Sequence, residues 1–311
     1  MRPRPKESSR LRPVPQAFLV LASAMLWFRC SQTADADRFR FVFMTDIHLE
    51  PGAAAVRGFE TAIAQVNGLR PAPAFVITGG DLIADALGQK KPRADSLYDL
   101  YEKESGLFNM PVHNTIGNHE YFGVFRESSV STSDPEFGEA MFKKRLGGRH
   151  ASSSFDRGRW HFILLDGISP TPDRNYIGRV DSAELAWLND DLGRVDSTRN
   201  LAVVTHIPLV TVSTQFREGT MKSNPPWLVV TNGDSVLHLL ANRRLRLVLQ
   251  GHLHVREEIR WRDTLILTGG AVSGAWWNGP FEGFEPGFMV LDVDGDDVRW
   301  RFEKLAAQAA E

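Results

Sequence analysis

The chain has 311 residues, with 36 Lys and Arg against 38 Asp and Glu and a formal charge of -2. It can bury a large core, but it lacks the basic excess with which a protein grips a nucleic-acid polymer. Hydrophobic residues make up 42%, an ordinary globular share, and the single cysteine, Cys30, excludes a disulfide framework.

Charge is unevenly spread. Residues 1–36 carry Arg2, Arg4, Lys6, Arg10, Arg12 and Arg29 against Glu7 and Asp35, which leaves the remainder more acidic than the whole. A basic region through Arg12, an apolar run from Ala17 to Phe28 and the small-residue site Ala34-Asp35-Ala36 read as a cleavable signal peptide over 1–36. The apolar run falls short of the ~20 residues of a membrane span. The bulky and charged Trp27-Phe28-Arg29 before Cys30 argues against lipidation. The expectation is an exported protein, periplasmic or secreted, with one domain over 37–311 and no cysteine after cleavage. Thiolates would then hold no metal in it.

The run Phe39-Arg40-Phe41-Val42-Phe43-Met44-Thr45 predicts a strand ending at Asp46. Val56, Phe59, Ile63 and Val66 lie at helical spacing over 52–69, and Pro71 and Pro73 end that helix. A strand over 75–78 runs into Gly79-Gly80-Asp81. A helix over about 94–104 and a strand over 112–116 follow, the strand ending at Gly117-Asn118-His119-Glu120. Ser133-Asp134-Pro135-Glu136 reads as a helix start, with Phe137, Met141, Phe142 and Leu146 on its apolar face. Strands 152–155 and 159–165 make a hairpin about Asp156-Arg157-Gly158. A helix over 182–192 precedes the strand 201–204, which ends at Thr205-His206, and a loop of about 25 residues. A helix over 233–242 leads to the strand 245–249 and Gly251-His252-Leu253-His254. Late strands lie near 264–267, 288–293 and 298–302. Strand–helix alternation early and hairpins later fit an α/β chain folded as two sheets flanked by helices.

Asp46 and His48 are two residues apart, as are His252 and His254, so each pair points to one side of an extended strand end. One D-x-H or H-x-H occurs by chance. Five strand ends in the order DxH, GGD, GNHE, TH, GHxH form a far more specific set. By these residues the chain resembles the calcineurin-like metallophosphoesterases over roughly 39–270. The resemblance implies a four-layer αββα sandwich of two mixed β-sheets flanked by helices, with a dinuclear metal site on the strand-end loops. It assigns Asp46, His48 and His254 to one metal and Asn118, His206 and His252 to the other, with Asp81 bridging. Carboxylate, imidazole and amide donors suit two transition-metal ions of the Mn, Fe, Zn or Ni kind. His119 is implied as a proton donor or charge stabiliser, with Glu120 orienting its ring.

Asp81 is followed by Leu82-Ile83-Ala84-Asp85-Ala86, without the Val/Ile-Asp-Arg-Gly run of the protein serine/threonine phosphatases and without the tyrosine of the purple acid phosphatases. What remains resembles the small bacterial phosphodiesterase and phosphatase branch. The implied activity is metal-dependent hydrolysis of a small-molecule phosphodiester or phosphomonoester. The alternative is a non-catalytic metal-binding scaffold of the same fold. Trp276 and Trp277 are candidates either to stack on substrate or to fill a gap. Arg217 and Lys222 read as solvated loop charges, and Tyr121 and Phe122 as pocket or packing residues. His113, His150, His161 and His238 read as core or surface residues, and Asp166 as a strand-end turn.

Overall fold

The computed structural model describes residues 37–306. The expected leader over 1–36 lies outside them. Among the described residues no helix is long and apolar enough to cross a membrane.

Two large mixed sheets stack face to face. The first has the order β13-β12-β1-β2-β3, with β1 Arg38–Met44, β2 Val76–Thr78, β3 Val112–Asn114, β12 Gly287–Asp294 and β13 Asp297–Lys304. The second has the order β10-β11-β9-β8-β5-β4, with β4 Ser153–Arg157, β5 Trp160–Leu165, β8 Asn200–Thr205, β9 Arg244–Gln250, β10 Glu257–Trp261 and β11 Thr264–Thr268. Strand alternation decides which side chains meet. Phe39, Phe41 and Phe43 of β1 join Trp160, Phe162 and Leu164 of β5 in a buried cluster with Ala202, Val204, Leu247 and Leu249. The intervening residues Val42, Met44, Ile163, Leu165, Val203 and Val248 belong to a larger cluster with the helices. Those helices are α1 Ala53–Gly68, α2 Lys91–Ser105, α4 Ser182–Arg194 and α6 Gly233–Leu240, which puts helices on the outer faces. Phe41 is fully buried, and its loss would cost ~3–5 kcal/mol.

β1, β2 and β3 are mutually parallel, as are β5, β8, β9 and β11. Their carboxyl ends therefore share an edge within each sheet, and the loops leaving those ends are the ones that carry Asp46, Asp81, Asn118, His206 and His252. The loops are zipped together by backbone. Asp46 N donates to Gly80 O at 3.1 Å, Ile47 N to Asp81 O at 2.8 Å and Gly251 N to His206 O at 2.9 Å.

The helix expected from Ser133 does not form there. Asp134 caps a local turn by accepting from Glu136 N at 2.8 Å, Gly138 sits at φ 67° and its segment bridges to Phe122. The short helix α3 begins only at Ala140, ends at Phe142 and continues as a wider turn over Lys143–Gly147. The small hairpin of β6 Ile168–Pro170 and β7 Tyr176–Gly178 is too short for a periodic signal. β10, charged and exposed at a sheet edge, lacked an apolar alternation. Within the long loop after His206 lies one short helix, α5 Ser213–Glu218.

Candidate metal centre

All seven residues assigned to metal by resemblance come together. Asp46, His48 and His254 form one buried group whose ligand atoms lie within 4.8 Å of one another, and Asp81, His206 and His252 form a second. Asp81 connects them, with its Oδ2 3.1 Å from His206 Nε2 and 3.7 Å from His48 Nε2. Asn118 Oδ1 lies 3.1 Å from His206 Nε2, and Asp46 Oδ1 lies 3.3 Å from His254 Nε2. Five of the seven occupy the left-handed region: Asp46 at φ 55°, His48 at 47°, Asp81 at 51°, His252 at 72° and His254 at 56°. Residues with a Cβ rarely adopt it, and such strain concentrates at functional sites.

Two glycines admit this crowding. A Cβ on Gly117 would run into the amide nitrogen and carboxylate of Asp81. One on Gly80, at φ 89°, would lie 2.7 Å from the His206 ring.

The donor set fits metal ions. His206 Nδ1 bonds the carbonyl of Gly79 at 2.7 Å, His254 Nδ1 that of Gly274 at 2.6 Å and His252 Nε2 that of Trp227 at 3.1 Å. A carbonyl only accepts, so each of these nitrogens carries a proton, and the other ring nitrogen is the one turned toward a cation. His48 Nε2 and His254 Nε2 face each other at 3.0 Å, a contact that one proton or one cation must mediate. Thr45 Oγ1 donates to Asp46 Oδ2 at 2.7 Å, and Ser273 Oγ donates to the Asp46 carbonyl at 2.8 Å. Neither supporting residue stood out in the sequence, because a hydroxyl beside a strand end carries no signal of its own.

Electrostatics sort the side chains. Burial would raise the Asp46 carboxyl, but His254 outweighs it and brings it down to about 2. Asp81, likewise buried, is held well below the usual carboxylate range by His206 and His119. Burial lowers His48 to about 3 and His252 to about 4, so both rings are neutral at physiological pH, as ligands must be. His206 goes the other way: burial opposes its charge, but the Asp81 carboxylate 3.1 Å from Nε2 raises it to about 9, a proton that a bound cation would displace.

His119 faces the cluster, with Nε2 3.8 Å from Asp81 Oδ2 and a quarter of its side chain exposed. Its Nδ1 bonds the Ala84 carbonyl at 2.5 Å, with Asp85 Oδ1 at 3.8 Å. The expected bond from Glu120 to His119 is absent. Glu120 is fully buried, and its carboxylate accepts from the amides of Asp81, Leu82, Ile83 and Gly117 at 2.7–3.1 Å. Three-residue spacing in a tight 3-10 turn carries its side chain back to the turn's own start, under the Asp81 loop rather than toward the His119 ring. Burial, then the Asp81 charge, pushes its carboxyl up to about 7 against the pull of those amides.

The two tryptophans separate. The Trp277 indole N–H donates to the His48 carbonyl at 3.1 Å, a packing role. Trp276, 47% exposed, lies with its ring 4.4 Å from that of His254 and 5.6 Å from that of His48. Arg217 pairs with Glu282 at 2.9 Å. Tyr121 and Phe122 are buried, and Tyr121 Oη donates to Asp166 Oδ2 at 2.6 Å, so Asp166 is a strand-end turn with a buried partner. His113 stacks on Phe155, His161 pairs with Asp156 and Asp191, and His150 and His238 are exposed.

A family model described as calcineurin-like phosphoesterase matches residues 39–256. A 3',5'-cyclic-nucleotide phosphodiesterase of Nostoc sp. is 23% identical over 218 residues, which is 68% of this chain and 70% of that one. A dimetal phosphatase from Danio rerio superposes with a TM-score of 0.61 at 15% identity, covering 86% of this chain and 96% of its own. A Plasmodium protein, GAP50, described as the anchor in the inner membrane complex, superposes with a TM-score of 0.54 at 16% identity, covering 85% and 84%.

Proposed function

Because the chain belongs to the calcineurin-like phosphoesterase family, we propose that it hydrolyses a small-molecule phosphoric ester at a centre of two metal ions. The observation that carries this reading is the convergence of seven metal-ligating side chains from five strand ends, with Asp81 between the two groups. On this reading Asp46, His48 and His254 would hold one ion, Asn118, His206 and His252 would hold the other, and the Asp81 carboxylate would serve both. Bound there, two such ions would supply an acidified water as nucleophile and positive charge for the phosphoryl oxygens.

The chain's own residues do the rest. His119, partly exposed and pinned through Nδ1 to Ala84, offers Nε2 as proton donor to the leaving oxygen. Glu120 keeps the Asp81 loop in its strained shape. Trp276 presents an open face beside His48 and His254 as a wall for substrate. The phosphodiesterase name of the Nostoc relative favours a diester over a monoester. Export through residues 1–36 belongs to the same proposal.

The second reading, a metal-binding scaffold without turnover, draws on the Plasmodium anchor protein of similar fold. Hydrolysis of bis-p-nitrophenyl phosphate against p-nitrophenyl phosphate, with Mn added or chelated, separates the cases. Faster turnover of the diester that chelation abolishes is the expected result. A protein that binds Mn stoichiometrically and turns over neither substrate is the scaffold.

A further inference from the structure

The β6–β7 hairpin and the turn at Pro226-Trp227 enclose a cleft of about 360 Å³. Its walls are the aromatic residues Phe125, Tyr176 and Trp227, and Thr171, Asp173 and Asn175 edge it. Single exposed aromatic residues are normal on a surface. Here three share one concavity, and that concavity adjoins the metal cluster. Trp227 is the link. Its carbonyl holds His252 Nε2 at 3.1 Å, its ring lies 6.3 Å from the His252 ring, and half of its surface is open.

The walls are formed in advance. Phe125 stacks on Tyr176 with ring centres 6.2 Å apart and planes 20° apart. The Arg174 guanidinium ties the hairpin down by donating to the carbonyls of Gly123 at 2.5 Å, Val124 at 2.7 Å and Val130 at 2.9 Å. Gly178 N donates to Pro226 O at 2.8 Å, closing the hairpin against the turn. No Lys or Arg lines the cleft, and Asp173 is its one charged residue, so a second phosphate has nothing to bind there. A flat uncharged ring has three aromatic side chains to meet, and base–aromatic stacking is favourable for every base. The volume suits such a group, at the lower end for small-molecule pockets.

We propose that this cleft is the subsite for a planar aromatic group, a nucleobase or an aryl ring, carried by the phosphate ester whose phosphoryl group sits at the metal cluster. The proposal rests on the hydrolase reading for the place of the phosphoryl group and on the cleft alone for the chemistry of the rest. A nucleobase would use the polar edge at Thr171, Asp173 and Asn175, which a bare aryl ring leaves idle.

The test is calorimetric binding to the Mn-loaded full chain of non-hydrolysable phosphonates in matched pairs. One pair is the phosphonate analogues of AMP and of ribose 5-phosphate; the other is phenylphosphonate and methylphosphonate. The aromatic member of at least one pair should bind about tenfold more tightly. Trp227→Ala should bring that ratio close to one, and Trp227→Phe should keep most of it. The Trp227 carbonyl, not its side chain, holds His252, so both variants retain that support. Trp276→Ala should weaken all four ligands alike. A gain confined to the AMP pair assigns a nucleobase, and one confined to the phenyl pair an aryl group. Equal affinities within both pairs, a preference that survives Trp227→Ala, or one lost in Trp276→Ala instead would overturn the cleft while leaving hydrolysis untouched. Failure of every phosphonate to bind would overturn the metal-centre reading and the cleft with it.

Discussion

Glu120 holds Asp81 by its backbone: Glu120 Oε2 accepts from the Asp81 amide at 2.9 Å, and Oε1 accepts from the next two amides at 2.8 and 3.1 Å. With Gly117 N at 2.7 Å, four buried amides end on one carboxylate. Asp81 sits at φ 51°, a conformation that its loop would not keep unaided.

Glu120→Ala should therefore act through folding rather than through proton transfer. Four buried donors lose their acceptor at ~1–3 kcal/mol each, partly offset by water entering the space, so a loss of ~3–5 kcal/mol is expected. Urea unfolding of the variant measures it. A loss under ~1 kcal/mol together with a lost basic or acidic limb of the pH–rate profile would return Glu120 to the catalytic role.

Asp81→Asn should abolish metal binding and turnover together, because the carboxylate stands between the two groups, with Oδ2 3.1 Å from His206 Nε2 and 3.7 Å from His48 Nε2. His119→Ala should retain metal and slow turnover by ~10²–10⁴. Metal content by elemental analysis, set beside hydrolysis rates, distinguishes the two. Full activity in Asp81→Asn would sink the assignment of the centre.

Gly117→Ala should be nearly as damaging as losing a ligand. The added Cβ meets the backbone nitrogen and carboxylate of Asp81, and neither can swing aside as a flexible side chain would. Metal affinity should fall by at least tenfold while the far-ultraviolet circular dichroism stays close to that of the parent. Unchanged affinity would show that the loop can relax.

His161 gives the expected pH dependence of stability. Its ring is buried between Asp191 at 2.8 Å and Asp156 at 2.7 Å. Burial opposes its charge, but the two carboxylates prevail and raise it above the model-peptide value of 6.5. A group whose folded value is raised contributes fully below the unfolded value and loses that contribution as pH rises through the folded one. The parent should thus lose part of its stability to urea between about pH 6.5 and the raised value, and His161→Gln should flatten that slope. Parallel pH profiles for parent and variant would refute the pairing.

Hydrophobic period and strand-end chemistry made much of this protein legible. Phe39, Phe41 and Phe43 alternate with residues of the outer core because a strand has a period of two. The order Asp46, Asp81, Asn118, His206, His252 needs no coordinates to be noticed. What the sequence could not carry is anything set by where a side chain turns at a bend. Glu120 stands beside His119 in the chain, yet the 3-10 turn sends the two side chains to different partners, one to Asp81 and its neighbours, the other to the Ala84 carbonyl. Gly138 and its bridge to Phe122 overrode a well-formed helix start at Ser133-Asp134-Pro135.

By itself, then, the sequence determined which residues can ligate metal and which strands deliver them, since residue type and period are local properties. Only the tertiary structure decided that Trp276 is open and Trp277 tied down, that Glu120 is a support for Asp81, and that Phe125, Tyr176 and Trp227, about a hundred residues apart from first to last, face one cleft. Those relations depend on backbone bends and on contacts between distant loops, which no local pattern encodes.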